Sequence, residues 1–247
     1  MILKDRIDKI LVERKIVKNR NEALGLIMSG NVFIEAKKID KPGYQVLKNS
    51  NIIVKKSKNG KWVSRGGYKL DKAINHFNLD CKNIIALDIG SSTGGFTDVL
   101  LKKGAKKIYS VDVGYGQLDW KIRNNEKVVV HEKTNARYLD DKIIKEKLDA
   151  IVCDVSFISL KKALPASLFF LKNKGWIIGL IKPQFEIGKS LVGKGGVVRN
   201  EEHHEMVVND IKDWLKKEKR LIVQGVVESP ILGPKGNKEF LILAFNS

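Results

Sequence analysis

The chain has 247 residues, 46 of them basic and 28 acidic, which gives a formal net charge of +18 and a sequence pI near 9.7. Hydrophobic residues make up 43% of the sequence, enough for a folded core, and this excludes a disordered chain. The strong basic excess predicts a polyanionic partner.

The two cysteines, Cys81 and Cys153, are too few for a disulfide scaffold or a cysteine-based zinc site, and they are typical of a reducing compartment. Residues 1–10 alternate charged residues with Ile and Leu and lack the apolar run of a secretory signal. The longest apolar stretches, such as residues 176–181, are too short to cross a bilayer as a helix. We therefore expect a cytoplasmic protein without stable membrane insertion.

The basic charge is concentrated at the start of the chain. Residues 1–64 contain 15 Lys or Arg and 6 Asp or Glu, so about a quarter of the chain carries half of the excess. This density predicts a nucleic-acid-binding module, although a solvated charged face is the alternative. The candidate RNA contacts on the predicted helix faces are Arg6, Lys9, Lys15, Lys18 and Arg20.

The same segment has the pattern of a small α/β unit. Apolar residues at helical spacing predict a first helix: Leu3, Ile7, Ile10 and Leu11. Asn19 followed by Glu22 predicts an N-cap with its reciprocal acid at the start of a second helix, which Gly30 ends. Residues 32–34 and 52–54 are predicted strands.

These residues resemble the small RNA-binding domain named after the fourth protein of the small ribosomal subunit. The matching positions are Arg6, Asp8, Leu11, Val12, Asn19, Arg20, Ala23, Ile27, Gly30 and Val32. Two places depart from that family: Asn19 stands where it usually has Ser, and Glu35-Ala36 where it has Asn-Gly in a hairpin. The resemblance implies an RNA-binding domain at residues 1–60. A polar, basic linker is predicted at residues 55–61.

From residue 84 onward, apolar runs alternate with helical patterns. The predicted strands are 84–89, 107–112, 128–130, 150–154, 176–181, 221–228 and 239–245. The predicted helices are 67–77, 96–103, 142–147, 160–172 and 201–219. Continuous apolar strands between helices predict a parallel sheet covered on both faces. We expect residues 61–247 to form a doubly wound, seven-stranded, Rossmann-like sheet whose last two strands are an antiparallel edge pair.

The first strand of this domain leads into a glycine-rich turn, Asp88-Ile89-Gly90-Ser91-Ser92-Thr93-Gly94-Gly95-Phe96. Asp88 precedes the first glycine, where it would repel a pyrophosphate but suits a cationic amino-acid ligand, and the loop offers no P-loop lysine. Asp112 ends the second strand, where an acid can accept hydrogen bonds from ribose hydroxyls. These features favour S-adenosylmethionine over a nicotinamide dinucleotide. The candidate cofactor residues are Asp88, Gly90, Ser91, Thr93, Gly94, Gly95, Phe96, Asp112, Asn135 and Asp154.

The glycine-rich turn, extended to Thr97, resembles the cofactor loop of FtsJ-type ribose methyltransferases. Further stretches resemble the TlyA or hemolysin A family of ribosomal RNA methyltransferases: residues 63–70, 154–159, 182–186, 192–199 and 233–240. The resemblance implies S-adenosylmethionine-dependent 2′-O-methylation of a cytidine ribose in 16S or 23S ribosomal RNA. It also implies four catalytic residues, which in this sequence are Lys69, Asp154, Lys182 and Glu239.

The chemistry of this reaction agrees with those residue types. A sulfonium is a good leaving group, so no metal is expected, but an alcohol is a poor nucleophile until a base takes its proton. Lys182 can be that base only when it is neutral, a state that burial or a neighbouring cation such as Lys69 favours. Asp154 and Glu239 would orient the two amines. Asp154 and Lys182 end consecutive predicted strands, so both should lie at the cofactor edge of the sheet.

Several weaker candidates surround this site. Arg65, Lys189, Lys194 and Arg199 are possible RNA contacts, and residues 189–199 are either an RNA-contacting lid or a flexible surface loop. The adjacent pair His203-His204 has the wrong spacing for a helical metal site and predicts an exposed helix start. Two other functions remain open: a membrane-acting cytolysin, because relatives carry the name hemolysin, and a non-catalytic RNA-binding assembly factor.

Overall fold

The computed structural model describes residues 4–28, 30–35, 37–54, 61–233 and 235–247. The chain divides into two compact units, residues 1–64 and 65–247. Most of the predicted linker, residues 55–60, lies outside the described residues, as do Leu3, Ala36 and Pro234. Within the described ranges, no helix has the length and apolar character needed to cross a membrane.

The first unit begins with a short strand and two helices, β1 (Lys4–Arg6), α1 (Ile7–Glu13) and α2 (Arg20–Met28). Four strands follow: β2 (Val32–Ile34), β3 (Lys37–Ile39), β4 (Gln45–Leu47) and β5 (Ile52–Val54). β2 pairs antiparallel with β3 and β5, and β1 pairs antiparallel with β4. Both predicted helices and both predicted strands are present. The sequence analysis missed β1, β3 and β4, which are three residues long and too short for a periodic signal.

The core of this unit is formed by the apolar stripes of the helices and the inner face of the strands. Its buried members are Ile7, Ile10, Leu11, Val17, Ala23, Ile27, Val32, Ile39 and Val46. α2 begins as predicted, since Asn19 Oδ1 accepts the Glu22 N–H at 2.9 Å. The Glu22 carboxylate accepts the N–H of Lys18 at 2.7 Å, one residue before the expected partner. Gly30 ends the helix with a φ of +70°, which a glycine adopts without strain.

The second unit alternates helices and strands. Its strands are β6 (Ile85–Ile89), β7 (Lys107–Val111), β8 (Val128–His131), β9 (Leu148–Cys153), β10 (Leu171–Ile181), β11 (Ile222–Glu228) and β12 (Phe240–Phe245). Its helices are α3 (Gly66–His76), α4 (Gly95–Lys102), α5 (Trp120–Arg123), α6 (Leu160–Ala163), α7 (Pro165–Leu168), α8 (Pro183–Glu186) and α9 (Glu201–Asp213). Two 3₁₀ turns (Ala136–Tyr138 and Lys189–Leu191) and a π turn (Trp214–Glu218) complete it.

The seven strands form one sheet in the order β11-β12-β10-β9-β6-β7-β8. β6 to β10 are parallel to one another, whereas β12 runs antiparallel to both of its neighbours, β10 and β11. The strand order reverses at β6, with β7 on one side and β9 on the other, and ligands bind such sheets outside the carboxyl end of the strands at this point. The predicted doubly wound sheet with an antiparallel pair at its edge is confirmed.

Two of the predicted helices are wrong. Residues 141–143 form a turn, in which Asp140 Oδ1 accepts the N–H groups of Lys142 and Ile143, and residues 144–147 are irregular. The predicted helix 160–172 is two short helices, α6 and α7, followed by the start of β10 at Leu171. Pro165 has no N–H to continue α6 and therefore begins a new helix.

Candidate active site

A cavity of about 230 Å³ opens in the second unit, among residues at the carboxyl ends of β6, β9 and β10. It is lined by Arg65, Gly66, Lys69, Gly90, Ser91, Ser92, Phe96, Asp154, Ser156, Lys182, Ile231 and Gly233. Asp154 directly follows β9, and Lys182 directly follows β10. Because parallel strands end at one edge, these two side chains meet although the sequence separates them by a helical connection.

The four residues that the resemblance implies as catalytic form a chain of alternating charge. Lys182 Nζ lies 2.6 Å from Asp154 Oδ1, and Lys69 Nζ lies 3.6 Å from Asp154 Oδ2. Lys69 Nζ also lies 2.6 Å from Glu239 Oε2. Lys69 comes from the first turn of α3, and Glu239 immediately precedes β12. The antiparallel direction of β12 brings its first residues to the edge where β9 and β10 end.

The chain of charges is largely removed from water. Lys69, Lys182 and Glu239 are buried, and the side chain of Asp154 is 19% exposed. Burying a charge is costly unless it is paired, and here each amine faces a carboxylate. Glu239 Oε1 has no hydrogen-bond partner among the described residues, and it lies against Gly233, where a Cβ would collide with it. Gly233 therefore leaves the space that the carboxylate occupies.

The glycine-rich turn lies beside these charges. Gly90 has a φ of +80°, and a Cβ on it would lie 2.6 Å from the carbonyl oxygen of Asp154. The turn therefore needs glycine to pack against the Asp154 backbone. Gly90, Ser91 and Phe96 line the cavity. Three other predicted cofactor residues, Thr93, Gly94 and Gly95, do not line it and instead lead into the start of α4.

The predicted cofactor acid Asp88 is fully buried beneath the turn and does not line the cavity. Its Oδ2 accepts the Thr97 hydroxyl at 2.6 Å, and its Oδ1 has no partner among the described residues. Burial raises the pKa of the Asp88 carboxyl to about 7, opposed in part by the hydrogen bond from Thr97. In this conformation Asp88 supports the turn from below.

The remaining cofactor candidates lie outside the cavity lining. Asp112 accepts the N–H of Ser92 at 2.8 Å and that of Gly114 at 2.7 Å, so it joins the glycine-rich turn to the loop after β7. Its carboxylate oxygens still have lone pairs for further donors. Asn135 Oδ1 accepts the N–H of Arg137 at 3.1 Å and so caps the 3₁₀ turn after β8.

The predicted RNA contacts of the second unit lie in two different environments, the cavity and the exposed surface. Arg65 lines the cavity, whereas Lys189, Lys194 and Arg199 are exposed. The segment that carries Lys194 and Arg199 is fixed, because Asn237 binds the Val198 N–H and the Gly196 carbonyl oxygen, each at 2.9 Å. Its backbone is held in place, so the structure does not present residues 193–199 as a loose surface loop.

In the first unit, the prediction that all five RNA contacts lie on helices is wrong, because Arg6 belongs to β1, and Lys15 and Lys18 lie between α1 and α2. The five residues also differ in setting. Arg6 makes two hydrogen bonds of 3.0 Å to the carboxylate of Asp8, and Arg20 makes another at 3.0 Å. Lys9 lies 3.8 Å from Asp5. The last two, Lys15 and Lys18, are exposed and have no ion-pair partner among the residues that the structure describes.

The histidine pair differs from expectation. His204 is buried, and its Nε2 lies 3.0 Å from the carbonyl oxygen of Val198, so the prediction of an exposed helix start is wrong for this residue. It faces inward because its position on α9 lies on the buried side of the helix. Across the described parts of the chain, no group of three or more His, Cys, Asp or Glu residues is arranged to hold a metal ion.

Sequence reasoning missed two residues that connect the segment after β9 with the segment after β10. Ser156 Oγ accepts a hydrogen bond of 2.9 Å from Lys182 Nζ. Glu186 accepts the Ser159 hydroxyl and the Leu160 N–H, which joins the segment after β9 to α8. Both belong to stretches that carry the family resemblance, but only the folded chain shows what they contact.

Comparison with known proteins agrees with this geometry. The model of the FtsJ-like methyltransferases matches residues 62–245, three quarters of the chain. The chain belongs to the FtsJ-like methyltransferase family. The S4 domain model matches residues 5–52 of the first unit. Both predicted family resemblances are therefore confirmed.

Individual relatives of this family are similar over nearly the whole chain. The 16S/23S rRNA (cytidine-2′-O)-methyltransferase TlyA of Mycobacterium tuberculosis H37Rv is 40% identical over 242 residues, covering 98% of this chain and 90% of the relative. Hemolysin A of Brachyspira hyodysenteriae is 40% identical, covering 96% and 98%. A solved structure from Streptococcus thermophilus, provisionally named a hemolysin, superimposes with a TM-score of 0.75 at 37% identity, covering 100% of this chain and 90% of that one.

Proposed function

We propose that this protein transfers a methyl group from S-adenosylmethionine to the 2′-hydroxyl of a cytidine ribose in ribosomal RNA. The observation that carries the proposal is the position of Lys182, whose amine lies 2.6 Å from Asp154 and lines the same cavity as the glycine-rich turn. The name of the TlyA relative supplies the substrate class. The basic first unit, which matches the S4 domain, supports RNA as the partner.

The residues of the cavity fit S-adenosylmethionine. Gly90 and Ser91 bring backbone close to a ligand without side-chain obstruction, and Asp154 offers a carboxylate to a cationic one. The apolar ring of Phe96 completes this side of the cavity. When bound, S-adenosylmethionine supplies an electrophilic methyl group on a good leaving group. Asp112, which already holds Ser92, would lie at the adenosine end of the site.

Lys182 is the proposed base for the ribose hydroxyl. Its amine lies in a buried setting next to Asp154, which orients it through the 2.6 Å contact. Lys69, held by Glu239, contributes a positive charge that stabilises the oxygen as it loses its proton. Since a proton acceptor at the hydroxyl accelerates such a step by roughly 10²–10⁴-fold, Lys182 should dominate the chemical step.

The test uses ribosomal subunits that lack ribose methylation, with the full chain as enzyme. Wild type should add 2′-O-methyl groups, detected by mapping modified riboses, and Lys182→Ala should lower kcat by about 10²–10⁴-fold. Lys182→Arg is the sharper variant, because it keeps a positive charge that cannot be released as a proton, and we expect the same loss. Calorimetry with S-adenosylmethionine serves as the control for folding of each variant.

Three outcomes would contradict the proposal. Wild type that adds no methyl group to any ribose would reject the activity. Lys182→Arg with wild-type kcat would reject the role of Lys182 as a base. Wild type that binds RNA but not S-adenosylmethionine would favour the non-catalytic assembly factor. Leakage of anionic liposomes that persists in Lys182→Ala would instead support a membrane-acting function.

A further inference from the structure

We propose that Ser156 is a positioning residue that directs the reactive side of the Lys182 amine; this inference rests on the proposed function. Ser156 lines the cavity, and its Oγ accepts a hydrogen bond of 2.9 Å from Lys182 Nζ. The other acceptor on the same nitrogen is Asp154 Oδ1 at 2.6 Å. Lys182 is therefore held by two acceptors that belong to one short segment after β9.

The geometry of an amine makes the second acceptor important. A neutral lysine amine is tetrahedral, with its carbon, two hydrogens and one lone pair at the four positions. With Asp154 as the only acceptor, rotation about the Cε–Nζ bond leaves the lone pair free to occupy either of the two remaining positions. A second acceptor at Ser156 Oγ takes the second hydrogen, and the lone pair is then confined to one direction. The base is oriented before the ribose arrives, which is the condition for efficient proton transfer.

Contacts between the two backbone segments fix the 2.9 Å distance between Ser156 Oγ and Lys182 Nζ. The segment that carries Ser156 is joined to α8, which begins directly after Lys182, by Glu186. The Glu186 carboxylate accepts the N–H of Leu160 at 2.8 Å and the hydroxyl of Ser159. The rings of Phe157 and Phe185 add a contact, with centroids 5.2 Å apart. The serine and the lysine thus stand on two segments that are fastened to each other at several points.

The burial of Lys182 strengthens the argument. Only 6% of this residue is exposed, so water cannot readily replace Ser156 as the second acceptor. In Ser156→Ala the amine would keep Asp154 and lose its rotational restraint. We expect a base misdirected in this way to lower the rate of methyl transfer and to leave affinity unchanged.

The experiment compares Ser156→Ala with Ser156→Thr, which keeps a hydroxyl at the same position. Methyl transfer to ribosomal subunits is measured as kcat and KM from about pH 6 to about pH 10, and S-adenosylmethionine affinity is measured by calorimetry. We expect Ser156→Ala to lower kcat by about 10- to 100-fold, including the plateau at high pH, with KM and cofactor affinity unchanged. Ser156→Thr should stay within about threefold of wild type.

Each other outcome counts against the inference in its own way. A wild-type kcat in Ser156→Ala would show that Asp154 alone orients the amine. Full recovery at high pH would mean that Ser156 alters protonation and not direction. Equal losses in the two variants would show that the hydroxyl is not the relevant group, and lost cofactor affinity would indicate a structural role. These results leave the proposed function standing, whereas a wild type without activity overturns both proposals.

Discussion

Two fully buried aspartates, one in each unit, respond in opposite ways to burial. Asp8 in the first unit accepts hydrogen bonds from Arg6 and Arg20, and chiefly the bond from Arg6 holds the pKa of its carboxyl below the usual range. Asp88 in the second unit forms no ion pair with any described residue and accepts the Thr97 hydroxyl, so burial raises its pKa to about 7. Although both side chains are fully buried, the Asp8 carboxyl stays ionised near neutral pH, whereas the Asp88 carboxyl is partly protonated there.

The comparison shows that arginine and lysine suit different purposes as partners of a buried carboxylate. Arginine keeps its charge at any ordinary pH, so Asp8 and its two arginines form a permanent structural cluster. The candidate active site instead pairs Lys69 and Lys182 with Asp154 and Glu239. Lysine can release a proton, so this arrangement combines the pairing that burial requires with a group able to act as a base.

The largest expected effect on stability in this comparison of Asp8 and Asp88 comes from Asp88. Its raised pKa means that the native state keeps the proton to higher pH than the unfolded chain, so the free energy of unfolding should fall as pH rises from about 4 to about 7. At about 1.4 kcal/mol per pKa unit, the fall should be roughly 2–4 kcal/mol. Asp88→Asn, a neutral side chain of the same shape, should remove this slope and be more stable than wild type near pH 8.

The measurement is denaturant unfolding at several pH values, followed by tryptophan fluorescence, since three of the four tryptophans, Trp120, Trp176 and Trp214, lie in the second unit. Asp141→Asn is the matched control, since it removes an exposed carboxylate from the same unit. If Asp88→Asn and Asp141→Asn show the same pH slope as wild type, Asp88 is not the group responsible.

The next effect concerns Asp8 and has the opposite sign. A lowered carboxyl pKa stabilises the native state above about pH 4, and this contribution is lost as pH falls further. Asp8→Asn should destabilise the first unit by about 1–3 kcal/mol near neutral pH. The cost stays below that of a fully buried pair because the Arg6 and Arg20 side chains are 38% and 60% exposed and can be hydrated again.

Hydrogen exchange of the first-unit amides in the full chain measures this effect. Asp40→Asn removes an exposed acid of the same unit and should leave exchange unchanged. Equal protection in Asp8→Asn and wild type at neutral pH would contradict a stabilising role for the cluster.

The Asp8 cluster also shows where sequence reasoning reached its limit. Arg6 and Arg20 were interpreted as RNA contacts because helical spacing placed them on an outer face, but spacing does not show that both reach Asp8. The parallel sheet of the second unit was predictable, because continuous apolar runs between helices are typical of strands that are buried on both faces. The helix predicted at residues 142–147 was wrong because Ile143 and Ile144 provide too few apolar positions to distinguish a helix from a capped turn.

At the candidate active site, the sequence predicted where some of the side chains lie, but it did not predict which side chains contact each other. Asp154 and Lys182 follow predicted parallel strands, so their shared edge could be derived from the strand pattern. Lys69 lies in the first turn of a predicted helix, and Glu239 begins a predicted strand at the opposite end of the unit. The pattern alone gave no reason for their 2.6 Å contact. The sequence predicted an antiparallel edge pair, but the position of β12 between β10 and β11, which brings Glu239 to this edge, is a property of the assembled sheet.

The smallest expected effect extends the comparison to the surface cations of the first unit. Arg6 and Arg20 are committed to Asp8, whereas Lys15 and Lys18 are exposed and are free to contact phosphates. Each phosphate contact contributes about 0.7–0.9 to the slope of log affinity against log salt. The double variant Lys15→Ala/Lys18→Ala should therefore reduce the slope by about 1.4–1.8.

Fluorescence anisotropy with a labelled ribosomal RNA fragment at several salt concentrations gives this slope. The matched control is Lys216→Ala/Lys217→Ala, which removes the same net charge from exposed positions of the second unit. If both double variants reduce the slope equally, RNA responds to the total charge of the protein. A reduction confined to Lys15→Ala/Lys18→Ala identifies the first unit as the site that binds RNA. The arginines paired with Asp8 would then serve to stabilise that unit.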